Sequence, residues 1–210
     1  MLNRYFKASA ENIDFMYANV CVKNIYFALI SLDHILNRSY RQKYDIGIYH
    51  DEHTYYFFHL QSLLTACGNI SNVFYNKSHS NSQATERCKR LRKLSNIYKC
   101  DFPLIFQKEF RNTNEHFDER YEEFKGCLGD YNILDENTDP FMRAVINTNP
   151  HLRTYDKEKA EYSTYNRKQQ KITCNLHEIK DELNQMLNKI TENPIFEAGW
   201  TNSISTEQLI

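Results

Sequence analysis

The sequence predicts an all-α fold, a helical bundle of about four to five helices with a small β-hairpin insertion before the last one. Three observations predict it. Apolar residues recur at steps of three and four through several long stretches. Helix start and stop signals bracket those stretches. Clean strand alternation is missing between them, and no internal repeat or low-complexity tract breaks the pattern.

The first helix spans Asn12 to about Arg38. Tyr17, Cys21, Ile25, Ala28, Leu32 and Ile35 form its apolar face, widened by Phe27, Leu29 and Leu36. A polar joint, RQKYDIGIYHDEH, leads to a second helix from about Asp51 to Tyr75. Asp51 is its N-cap, and Tyr56, Leu60, Leu63, Cys67, Ile70 and Phe74 are its seam. After the polar run NKSHSNSQ comes a shorter, basic helix, Ala84 to Tyr98, held to the body by Leu91, Leu94 and Ile97. Asp101 and Pro103 start a helix from about Phe102 to Phe124, whose stripe is Phe106, Phe110, Phe117, Tyr121 and Phe124. Gly126, Gly129, Asp139-Pro140 and Asn149-Pro150 break up the region after this helix. Between His151 and Cys174, the runs LRTYD, AEYSTY and QKITC read as a small hairpin, though they alternate poorly. The last helix, Leu176 to Asn193, carries the stripe Leu176, Ile179, Leu183, Leu187 and Ile190. Asn175 with Glu178 resembles a capping box, and Pro194 ends the helix. The expected organisation is one helical domain over 1–210, with an irregular or hairpin insertion at 127–175 and a mobile tail at 194–210.

At 210 residues the chain can bury a core without disulfides or metals. No basic stretch followed by an apolar run marks a signal peptide, and no stretch of about 18 apolar residues suggests a membrane span, so a cytoplasmic protein away from membranes is expected. A net charge of −1 excludes a strongly basic, histone-like binder and leaves local contact with nucleic acid open. Six cysteines without a CxxC pair read as reduced residues, several of them in helix cores.

Chemistry is concentrated in Arg111-Asn112-Thr113-Asn114-Glu115-His116. Arg111 and His116 lie five apart, about 140° around an ideal helix, and do not share a face. Asn112 and His116 do share one, and Glu119 continues it. Arg111 has Glu115 at four, which predicts an intrahelical ion pair. As a bare pattern these residues also suit an ordinary solvated helix side.

The run FRNTNEHFDERYEEF resembles the motif helix of the HEPN superfamily, helical-bundle proteins with an Arg, four to six residues, then a His. Arg111, Asn112 and His116 match its Arg, polar and His positions. The resemblance extends in architecture over Asn12 to Phe124, and in specific residues over this segment alone. It implies a metal-independent endoribonuclease, without cofactor, that acts in bacterial stress or defence, including toxin–antitoxin systems. It also implies a homodimer in which the motif helices meet, with an antitoxin or regulatory protein as a further partner. Histidine suits the acid and base roles of a 2′-OH attack on the adjacent phosphate, and a guanidinium can hold the phosphate oxygens. Arg111 and His116 would carry the chemistry and Asn112 assist, while Glu115 would compete with phosphate for Arg111. The alternative is a HEPN-fold binding or regulatory module without catalysis.

Arg87, Lys89, Arg90, Arg92 and Lys93 form the candidate RNA-guiding surface, for which an ordinary solvated helix is an equal account. The ligand-type residues His50, Asp51, Glu52, His53 and His59 match no zinc spacing, so no metal site is expected.

Overall fold

The computed structural model describes residues 10–37, 52–75, 82–116, 119, 122–124, 129–135, 139–148 and 151–193. The frame is a pair of long helices, α1 (Ala10–Leu36) and α2 (Glu52–Phe74). They run antiparallel: Asn69 donates to the Asn24 side-chain oxygen at 3.0 Å midway, while the rings of His34 and His59 stack 4.2 Å apart near the end. Cys21, Ile25, Ala28 and Leu32 on α1 are fully buried, as the apolar spacing requires, and Leu60, Leu63, Ile70 and Phe74 on α2 join them. The far side of α1 leaves Met16, Val20, Phe27 and Ile30 exposed, with Phe58 of α2 also exposed. By length and composition alone, α1 contains one window of the kind that could cross a membrane, Ile13–Leu36 at mean hydropathy 1.4, of which 44% is buried in this fold.

α3 (Ser82–Ser95) docks through Ala84, Cys88 and Leu91. The expected helix from Phe102 to Phe124 is shorter. Residues 101–106 form turns, α4 runs from Lys108 to Glu115 with His116 as its C-cap, and residues 119, 122 and 123 are helical again. A side chain from far along the sequence braces this segment. Glu182 accepts the amide hydrogens of Leu104 (3.1 Å) and Ile105 (3.0 Å), one on each carboxylate oxygen. Phe102, Ile105 and Phe106 are buried around this clamp, and the Phe106 amide closes the turn on Phe102 O at 3.2 Å. Of the expected stripe, Phe106 and Phe110 are buried, whereas Phe117 and Tyr121 lie outside the described residues.

The all-α expectation is overturned by a four-stranded mixed sheet, which makes the fold α/β. Its strands are β1 (Tyr131–Leu134), β2 (Arg153–Asp156), β3 (Glu161–Tyr165) and β4 (Lys171–Asn175), in the order β1-β2-β3-β4. β2, β3 and β4 pair antiparallel, close to the expected hairpin, and β1 lies parallel to β2. A parallel pair needs a crossover, and here it contains α5 (Pro140–Thr148). Asp139-Pro140 is therefore a helix start rather than a break: the Asp139 side chain accepts the Phe141 amide and Pro140 occupies the first helical position. One row across the sheet, Ile133–Tyr155–Tyr162–Cys174, faces the core. Tyr155 meets Tyr56 of α2 and Tyr162 meets Phe110 of α4. Tyrosine, cysteine and the buried Arg153, Ser163 and Thr164 make up much of the sheet's buried side chains, which is why alternation of ordinary apolar residues is hard to see.

The last helix, α6 (Leu176–Thr191), starts without a linker. Asn175 ends β4 and is also the N-cap, its side-chain oxygen accepting the His177 and Glu178 amides. Cys21, Cys67, Cys88, Cys100 and Cys174 are free thiols, and burial pushes Cys67 up to about 12. The tail at 194–210 lies outside the described residues.

The clamp predicts a pH signature. Burial pushes the Glu182 carboxyl above its ordinary value, and the two amides pull it back only in part. The folded chain therefore holds this proton more tightly than the unfolded one. Its contribution to stability is fully present below the unfolded carboxyl value and is lost as pH rises through the folded value. Urea titrations of wild type and Glu182→Gln across the acid range should show this slope in wild type and not in the variant. Glu182→Ala, which orphans two amides, should cost about 1–3 kcal/mol at neutral pH.

Candidate functional site

α4 carries the segment singled out in the sequence, and the fold sends its side chains in two directions. Arg111 turns toward α2. Its Nε lies 2.7 Å from Glu115 Oε1, the ion pair expected from the spacing, and the Arg111 side chain is only 25% exposed while making it. The side chain crosses α2 at Gly68: a Cβ built there would stand 2.2 Å from Arg111 Cδ and 2.6 Å from Nε. A glycine inside a helix costs about 0.5–1 kcal/mol relative to alanine, and here the missing Cβ is the room through which Arg111 passes.

His116 and Asn112 look the other way. They line an open cleft of about 600 Å³ together with Glu109, Thr113 and the β3–β4 turn. That turn supplies Arg167 and Lys168, both exposed. It is tightly built: Asn166 Oδ1 accepts the amides of Lys168 (2.9 Å) and Gln170 (3.1 Å), and Gln169 takes a left-handed φ of 57°. Thr113 holds the turn to α4. Its hydroxyl, on a residue 1% exposed, lies 2.9 Å from Glu109 O and 3.2 Å from Tyr165 O. His116 caps α4, its amide donating to Asn112 O at 3.1 Å, and its Nδ1 stands 3.5 Å from Glu119. The cleft thus joins an exposed imidazole, a side-chain amide and two cations, a set able to bind an oxyanion and exchange a proton with it.

No family model, no curated protein and no solved structure matches the chain.

Within one chain the candidates are only partly gathered. Asn112 and His116 share the cleft, and Arg111 and Glu115 lie apart from it, as the angle of about 140° requires. The basic run on α3 is largely engaged with its own fold. Arg90 makes a bidentate pair with Asp14, at 2.9 Å for each bond; Arg87 sits 3.8 Å over the Tyr17 ring; Lys89 pairs with Glu86 at 2.8 Å. Arg92 donates to Phe74 O and stacks on Tyr75, while Lys93 is exposed. Among the described residues no three His, Cys, Asp or Glu side chains gather as a metal site. Glu52 pairs instead with Lys157, and His53 packs near Tyr131; His50 and Asp51 lie outside the described residues.

Sequence reasoning missed Gly68, Arg167 and Lys168. An isolated glycine inside a helical seam is a signal of close approach, and NRKQQ is a basic turn whose partner across the cleft only the folded chain reveals. Gly68→Ala should displace the Arg111 side chain while leaving stability within about 1 kcal/mol, because the better helix former offsets the lost seat. The checks are the Arg111 Nε–H resonance, which should move, and the melting temperature, which should not fall by more than a few degrees.

Proposed function

We propose that the protein is a metal-independent endoribonuclease whose chemistry takes place in the cleft between α4 and the β3–β4 turn. The observation that carries this reading is the placement of His116 and Asn112 on one wall with Arg167 and Lys168 in the other. The reading does not need the all-helical frame that the resemblance implied.

RNA fits the cleft by charge and by chemistry. Arg167 and Lys168 supply cationic donors for phosphate oxygens, and a guanidinium can take two of them at once. The neutral His116 ring removes the proton from a ribose 2′-OH. The 2′ oxygen then forms its bond to phosphorus while the bond from phosphorus to the 5′ oxygen breaks, and the departing oxygen takes up a proton. The products are a 2′,3′-cyclic phosphate and a 5′-hydroxyl. Asn112 can donate to a phosphate oxygen from one turn away. In a homodimer the second His116 is the acid for the leaving group, and the partner's α4 brings an Arg111 that the single chain keeps on its other side.

One observation favours a second reading, a binding module without catalysis. Arg111 is seated over Gly68 and paired with Glu115, outside the cleft. Its role in the first reading is therefore one that a partner must complete.

Incubation of the full chain with end-labelled RNA in excess EDTA separates the two. Wild type should yield cyclic-phosphate ends, and His116→Ala should lower the rate by about 100-fold or more, the scale of acid–base catalysis. Arg167→Gln with Lys168→Gln should weaken RNA binding and flatten its salt dependence. RNA binding that persists with no cleavage in either protein would establish the binding module instead.

A further inference from the structure

A second cleft of about 600 Å³ opens at the other end of α4, between the C-terminal part of α2, α3 and the segment that leads into α4. The first turn of α4 forms one wall, through Gln107, Lys108 and Glu109. Gln107 is the N-cap residue, yet its side chain caps no amide. The first amides of a helix have no partner within it, and the helix dipole places partial positive charge there. Such a terminus is suited to an anion.

An independent feature points to the same ligand. Ser71 lines this cleft from α2, is 2% exposed, and its hydroxyl has no hydrogen-bond partner among the described residues. A buried hydroxyl is nearly always paired, because leaving it so costs free energy. The usual escape, donation to a carbonyl one turn back in the helix, is not taken. Arg92, Lys99 and Lys108 line the same cleft, with Glu109 as the acidic residue of the lining. Arg92 and Lys108 also donate to the carbonyls of Phe74 and Tyr75 at the end of α2, which fixes their heads beside the cleft. Tyr75 and Phe106 add an aromatic wall, their rings edge to face at 4.8 Å.

We propose that this cleft is a binding site for the phosphate group of a nucleotide, held by the uncapped amides of α4, the Ser71 hydroxyl and Lys99. The cleft has room for a base and sugar beside the phosphate. The phosphate can belong to a free mononucleotide or to an RNA backbone. α4 has eight residues and is about 12 Å long, so a strand bound here has only that distance to run to His116. The site stands on its own geometry and holds whether or not His116 cleaves RNA.

The test uses the full chain, with Ser71→Ala and Lys99→Gln, titrated calorimetrically with inorganic phosphate, with 5′-AMP, and with a short 2′-O-methyl oligoribonucleotide that cannot be cleaved. Phosphate and 5′-AMP should bind wild type, and each substitution should weaken 5′-AMP by about tenfold, the scale of a charge-assisted hydrogen bond. Ser71→Ala should also raise the melting temperature of the ligand-free protein by about 2–4 °C, because it removes an unpaired buried hydroxyl. An oligonucleotide that binds more tightly than 5′-AMP and is displaced by phosphate identifies an RNA subsite; 5′-AMP that binds at least as tightly identifies a mononucleotide site. Absence of phosphate and 5′-AMP binding to wild type, or equal binding by all three proteins, overturns the proposal. So does a fall in the melting temperature of Ser71→Ala, which would mean that the hydroxyl has a partner within the fold.

Discussion

The carboxylate of Glu182 braces the segment that leads into α4. It takes the amides of Leu104 and Ile105 and holds residues 101–106 in a turn. A half-buried carboxylate is poorly solvated, and two amide hydrogens replace the water it gives up. Because the chain becomes helical only at Lys108, α4 is short enough for both ends to open onto clefts, and its phase is set. Arg111 then meets α2 at the residue that lacks a side chain, and His116 reaches the β3–β4 turn.

α4 is divided by angle into two working sides and a buried one. Phe110 and Thr113 face inward, onto Tyr162 and the Tyr165 carbonyl. Arg111 goes to one flank, and Asn112 with His116 to the other. The sheet is therefore part of the site: it lays a rigid, cationic turn opposite the imidazole. Two hydrogen bonds to Asn166 stiffen that turn, so Arg167 and Lys168 are carried on a scaffold rather than on a loose loop.

The helices of the frame were legible because their periodicity is long and their burial one-sided. Cys21, Ile25, Ala28 and Leu32 on α1, and Leu60, Leu63 and Ile70 on α2, lie where spacing puts them. The Arg111–Glu115 pair and the Asn175 cap were also readable, since both are local. What could not be read depends on distant partners. Glu182 acts on residues more than seventy positions earlier, so no window around Pro103 reveals that a turn replaces a helix there. The sheet was hidden because its core row contains Tyr155, Tyr162 and Cys174 rather than aliphatic residues, and because β1 and α5 are short. On the basic run of α3, composition counts charges, and only packing shows that Arg90 already holds the buried Asp14.

Asn175 serves two elements at once, and this bears on which changes in chain length the fold can absorb. It closes β4 and caps α6, its side-chain amide donates to Lys159 O, and Leu176 is tied to Ala160 O next to it. Each residue of an α-helix advances about 100° around the axis. An insertion or deletion between Asn175 and Glu182 would therefore swing the carboxylate a quarter-turn or more away from the Leu104 and Ile105 amides, and the start of α4 would go with it. Across descendants of this chain, length variation should be purged from this junction.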